Sequence, residues 1–212
     1  IRLLRLFHGK FDDDIRVELE EAWLDEIEAQ GADGTSFKAL SYVWGSRDNP
    51  ATIWIGEETI SVTQNLAAAL RHLRDEHDDG VYWIDAICID QSSPSERSKQ
   101  VALMRDVFRV AGEVIFWLGP EENDSDHAMD LIHSFGEKVR YDIRSDALIP
   151  IDKPGDEAKW LSPLEPVRYG DREADALADL LMRPWFERLW VRQEAFHGRK
   201  SGVVMCGTRR MS

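Results

Sequence analysis

At 212 residues, with 43% hydrophobic and 31% charged side chains, the chain is long enough for one large globular domain and is neither disordered nor fibrous in composition. Its 40 acidic residues against 26 basic ones leave a formal charge of -14, which repels a phosphate backbone or an anionic bilayer and excludes nucleic acid and membrane surfaces as main partners. No apolar run approaches the roughly 20 residues that span a bilayer, and no basic-then-apolar leader opens the chain, so the expected compartment is the cytoplasm.

The first predicted elements are strands over 1–6 and 15–24, the second with Ile15, Val17 and Leu19 on one side at period two. A turn with glycines follows, then a strand in FKALSYVWG, residues 37–45, and a hairpin over 52–62 around Gly56-Glu57. Thr63 is a predicted helix N-cap, and Leu66, Ala69, Leu70 and Leu73 behind it follow the spacing of an amphipathic helix. The nearly continuous apolar run VYWIDAICI, residues 81–89, predicts a central strand buried on both faces, with Asp85 inside it. Ser93, Pro94 and Glu96 read as a capping box, and Val101, Met104, Val107, Phe108 and Ala111 as the buried face of the helix that follows. EVIFWL, residues 113–118, is a further buried strand.

Residues 121–180 are acidic and weakly patterned; they read as a peripheral insertion with helices near 126–138 and 171–182. Pro184 is expected to open a last helix ending near Gly198, and GVVMC to form a final strand. The alternation of strands and helices predicts an α/β fold: an open, mainly parallel sheet flanked by helices, with antiparallel N-terminal strands and a hairpin added to it.

Cys88 and Cys206 lie within apolar runs and read as small buried hydrophobes. CxxC, HExxH, GxGxxG and P-loop patterns are absent, so no metal site is expected, and the two commonest phosphate cradles are missing.

In an open α/β sheet, ligands sit at the carboxyl ends of the strands. SYVWG at 41–45, DAICIDQ at 85–91 and the last helix are expected to meet there. Asp85 stands in an apolar run, where a carboxylate needs a partner; it serves either loop backbone amides or a ligand. Arg97 lies in the first turn of its helix, unfavourably placed against the dipole, and answers a carboxylate, an anionic ligand or solvent. Phe186, Trp190 and Glu194 are spaced by four, in a row along the expected helix. Glu194 has no Lys or Arg three or four residues away, so its partner must be a tertiary arginine, another dipole, water or a ligand. A structural glutamate bridging loops is the competing reading.

Taken together, FKALSYVWG, SVTQNLAAALRHLR, YWIDAICIDQSSPSERSKQVALM, AGEVIFWLG and RPWFERLWVRQE resemble the heterokaryon incompatibility (HET) domain of filamentous fungi in order and spacing, from about residue 1 to 206. Asp90 stands where that family more often has Asn. The resemblance implies a single cell-death effector domain over 1–212, with 121–180 variable, excised from a larger multidomain protein. A more distant resemblance is to the Toll/interleukin-receptor (TIR) fold, in which ALSYVWG is similar to the first strand and its loop and VYWIDAICID to the second strand. Trp190-x-x-x-Glu194 is similar to the Trp-x-x-x-Glu of TIR domains that cleave NAD.

By that resemblance Glu194 is the catalytic carboxylate and NAD the substrate rather than a cofactor. Ser41, Tyr42, Trp44, Gly45, Asp85, Arg97, Arg188 and Trp190 are the expected substrate-binding residues. The implied partners are a nicotinamide nucleotide and, on activation, further copies of the chain. The alternative is a non-enzymatic, TIR-like self-association module that signals cell death.

Overall fold

The computed structural model describes residues 1–30, 36–142, 144–151, 170–188, 194 and 202–212. The chain divides into two compact units, one comprising Ile1–Pro120 and Pro184–Arg210, the other Glu121–Arg183.

The first unit holds β1 (Arg2–Leu6), β2 (Arg16–Glu21), α1 (Leu24–Gln30), β3 (Lys38–Tyr42), β4 (Ala51–Ile55), β5 (Glu58–Val62), α2 (Gln64–Leu73), β6 (Gly80–Trp83), α3 (Asp85–Cys88), α4 (Pro94–Val110) and β7 (Glu113–Trp117). The second holds α5 (Ser125–Gly136), a hairpin of β8 (Val139–Asp142) and β9 (Ala147–Pro150), and α6 (Asp171–Leu181), with α5 packed against α6. A 3-10 turn at Pro184–Glu187, then β10 (Gly202–Cys206) and β11 (Arg209–Met211), complete the chain.

Nine strands form one sheet in the order β11-β10-β7-β3-β6-β1-β2-β4-β5. β10, β7, β3 and β6 pair in parallel, while β1 runs antiparallel to both β6 and β2. Counted along the chain, the four parallel strands lie in the order 2-1-3-4, with the order reversing at β3, beside β7. That is a doubly wound arrangement, whose ligand crevice lies at the carboxyl ends where the order reverses. The register brings those ends level: Tyr42 faces Trp117, and Trp117 faces Met205. The N-terminal addition is not wholly antiparallel, because β2 and β4 pair in parallel over Arg16–Val17 and Trp54–Ile55.

Local chemistry explains most of the elements. Thr63 Oγ1 accepts the Leu66 N–H at 3.3 Å and starts α2, which buries Leu66, Ala69 and Leu70. Ser93 caps α4 in the same way through the Glu96 N–H at 3.3 Å. The expected capping box is only half formed: the Glu96 carboxylate accepts from the Asp90 N–H and from Arg2, a stronger cationic partner than the Ser93 N–H. Only the C-terminal end of the α4 apolar face is covered. Val107, Phe108 and Ala111 are buried, whereas Val101 is half exposed.

The apolar run 81–89 is not one strand. β6 ends at Trp83, and residues from Asp85 make a single helical turn that buries Ile87, Cys88 and Ile89 all the same. A short apolar run satisfies burial in either conformation, so its composition alone does not choose. Nor do Phe186 and Glu194 share one continuous helix. The 3-10 turn stops at Glu187, Arg188 is outside it, Phe186 is exposed, and Trp190 lies outside the described residues. Among the described residues no helix is long and apolar enough to cross a membrane.

Candidate functional site

Successive residues of a strand point to opposite faces, and β3 ends with Ser41 and Tyr42 doing so at the carboxyl edge. Ser41 is 1% exposed and is the hub of a buried cluster. Its hydroxyl donates to Oε2 of Glu194 and accepts the indole N–H of Trp185 at 3.0 Å. Trp185 is held by the 3-10 turn and by a tilted ring contact with Phe116, near the end of β7. Glu194, 3% exposed, also receives Nη1 and Nη2 of Arg188, each at 3.3 Å, on its two oxygens. Of the partners left open for Glu194, the structure supplies an arginine, Arg188, six residues earlier in the chain.

Asp85 forms the second part of the edge. Its carboxylate accepts the Trp44 indole N–H at 2.9 Å and the Ala86 N–H at 2.7 Å, bonds available because it sits at the start of α3 rather than inside a strand. The residue is half-buried, yet its carboxylate is enclosed by protein. Burial pushes its pKa above the ordinary aspartate range, against the pull of the Trp44 and Ala86 N–H groups and the charge of Arg188; the charge of Glu194 adds to the rise. The Tyr42 hydroxyl meets no acceptor in good hydrogen-bond geometry among the described residues. Its pKa lies well above that of a free phenol, raised by burial first and by the Asp85 charge second, and lowered by Arg188. Among the described residues, Arg188 thus acts on Tyr42, Asp85 and Glu194 together.

The loop after β3 turns at Gly45, where φ is +76°, a conformation glycine adopts without strain. Asn65, in the first turn of α2, donates to the Val43 carbonyl at 2.6 Å and accepts the Trp117 indole N–H at 3.0 Å, tying the ends of β3 and β7 to that helix. Next to this loop lies a cavity of about 300 Å3 bordered by Tyr42, Trp44, Arg47 and Leu66.

Of the residues expected at the site, the structure joins Ser41, Arg188 and Glu194 directly, and Trp44 with Asp85. Tyr42 and Gly45 stand beside them. Arg97 is exposed on α4 and makes no side-chain hydrogen bond or ion pair among the described residues. Trp190 lies outside the described residues. Sequence reasoning did not single out Asn65, Arg47 or, as a site residue, Trp185. Asn65 carried a usable signal, since an amide in the first turn of a helix that follows a hairpin is well placed to bond neighbouring loop backbone. Among the described residues no group of His, Cys, Asp and Glu is arranged to hold a metal ion.

The sequence pattern described as Heterokaryon incompatibility protein (HET) matches residues 37–194, which include every residue of this cluster. Heterokaryon incompatibility protein 6, OR allele, of Neurospora crassa is 32% identical over 194 residues, covering 75% of this chain and 27% of that protein. The chain therefore spans little more than a quarter of the curated relative it matches. No solved structure matches it. With the family pattern extending over more than half of its length, the chain belongs to the heterokaryon incompatibility (HET) family.

Proposed function

We propose that the chain is a cell-death effector domain of heterokaryon incompatibility and that it hydrolyses the N-glycosidic bond of a nicotinamide nucleotide, with Glu194 as the catalytic carboxylate. The observation that carries this reading is the place of Glu194: a buried carboxylate bonded to Ser41 at the carboxyl edge of a doubly wound parallel sheet, beside the strand where the order reverses.

The chemistry suits one carboxylate. The bond between the ribose carbon and the pyridinium nitrogen breaks, its electron pair goes to nitrogen, and nicotinamide leaves as a neutral molecule without a general acid. Water adds to the ribose carbon and loses a proton, giving the ADP-ribose product. The negative charge of Glu194 stabilises the positive charge that develops at that carbon, as in other glycosyl transfers. Arg188 holds both oxygens of Glu194 in the present arrangement. A pyrophosphate gives Arg188 a competing anionic partner, so substrate binding frees the carboxylate when it is needed. Activation proceeds through self-association, and specific activity is expected to rise with protein concentration.

One observation favours a different reading. Both Glu194 oxygens are engaged and the residue is 3% exposed, as expected of a structural glutamate in a non-enzymatic interaction module. Glu194→Gln separates the two, because it keeps size and helix propensity and removes the charge. Nicotinamide release per folded molecule should fall on the order of a hundredfold or more, with loss of toxicity in cells. A well-folded Glu194→Gln protein that kills as efficiently as the parent ends the enzymatic reading.

A further inference from the structure

The cavity beside Trp44 differs from the rest of the surface in charge. The chain carries 40 acidic residues, yet among the described residues no carboxylate lines this space; that of Asp85 lies behind Trp44 and Ala86, bonded to both. Its walls are aromatic and aliphatic, with Tyr42 and Trp44 from the end of β3 and Ile60, Val62 and Leu66 from β5 and α2. Its cation is Arg47, whose guanidinium stands 5.9 Å from the centre of the Trp44 ring and has no carboxylate partner among the described residues. Thr63, at the N-terminus of the ten-residue helix α2, borders it too, so the positive end of that helix faces the same space.

Aromatic walls, a guanidinium without a carboxylate partner among the described residues, a helix N-terminus and a lining without acid together describe a site for a flat ring bearing an anionic group. We infer that this cavity binds a nucleoside monophosphate unit, the ring lying against Trp44 and the phosphate on Arg47 and the first turn of α2. Its volume of about 300 Å3 is at the lower end of ligand pockets, so it takes one half of a dinucleotide rather than the whole. Trp44 connects it to the neighbouring cluster, since its ring lines the cavity while its N–H bonds Asp85. The inference rests on the nicotinamide-nucleotide reading for the identity of the natural ligand; binding itself does not use Glu194.

The test is calorimetric and fluorescence titration of the parent and of Glu194→Gln with adenosine monophosphate, nicotinamide mononucleotide and adenosine. Saturable binding of either monophosphate by both proteins is expected, and the tighter of the two names the half that sits here. Adenosine should bind the parent about tenfold more weakly than its monophosphate, and Arg47→Gln should lose a similar factor for the monophosphate, the worth of one charge-assisted contact. Ser61→Tyr fills the cavity from an exposed position of β5 with a residue favoured in strands; it should abolish binding and keep the melting temperature. Binding by a parent protein that never releases nicotinamide supports this site while removing the hydrolase reading. Failure of the folded parent to bind either monophosphate, or parental affinity in both Arg47→Gln and Ser61→Tyr, overturns the inference.

Discussion

The two halves of the nine-stranded sheet treat polar groups differently. In the half built from two antiparallel pairs, β1 with β2 and β4 with β5, the buried positions are apolar, among them Leu3, Leu4, Leu6, Val17, Ile53 and Val62. Apart from the part-buried Arg2, its charge-bearing contacts include exposed ones, where Arg71 and Arg74 donate to carbonyls of the loop between β1 and β2, at Phe11, Asp13 and Asp14. In the parallel half, Ser41 and Glu194 are buried outright, and half-buried Asp85 has its carboxylate enclosed. Antiparallel neighbours end at opposite edges, so their loops stay exposed and are met one at a time, as Arg71 and Arg74 meet the loop between β1 and β2. Parallel strands all end at one edge, and side chains from distant parts of the sequence must satisfy one another there. That concentration of interdependent groups is what makes an edge able to hold a ligand.

The sharpest way to break this contrast is to remove the same side chain from each half. Arg188→Met leaves Glu194 buried with an uncompensated charge, and breaking a buried pair from one side costs about 3–5 kcal/mol. Urea unfolding should show a loss of that size, largely restored when Glu194→Gln is added. A parental urea midpoint in Arg188→Met means that Arg188 does not hold Glu194. Arg74→Met removes donors from a cluster of solvent-exposed carbonyls that water can replace, so the expected loss is about 1 kcal/mol. Hydrogen exchange should quicken in the loop at 7–14 and remain slow in β3 and β7; protection lost throughout the sheet speaks against separable halves.

The smallest effect is expected at Asp85 and is read from its pH dependence. A carboxyl whose folded pKa is raised contributes stability that is present below its unfolded pKa and is lost as pH rises through the folded one. Asp85→Asn keeps one acceptor and gives up the other, so stability at pH 7 should change by less than about 1 kcal/mol. As pH falls from neutral toward the ordinary aspartate value, the parent should gain on Asp85→Asn. A stability difference that stays constant with pH shows that burial does not govern this group.

Short-range signals in the sequence were enough for the caps at Thr63 and Ser93, the hairpin at Gly56, the buried alternation of β2 and the α/β alternation itself. Each depends on residues a few positions apart, so one stretch of chain carries the whole cause. Asp85 was legible as a candidate because a carboxylate in an apolar run requires a partner, Glu194 because it ends an aromatic row with no cation three or four residues away, and Ser41 only as part of the segment expected at the sheet edge. Which partner each finds was decided only in three dimensions. Asp85 meets Trp44 because the run at 81–89 breaks into a helical turn, a choice that its hydrophobicity leaves open. Arg188 meets Glu194 across a spacing of six residues that the expected helix pairing does not provide, after a 3-10 turn that ends at Glu187. Asn65 reaches Val43 and Trp117 because β7 pairs with β3 and places its end beside α2. Strand order and charge pairing are choices among many arrangements that bury the same apolar surface, and they are settled by the packing of the whole sheet rather than by any one segment.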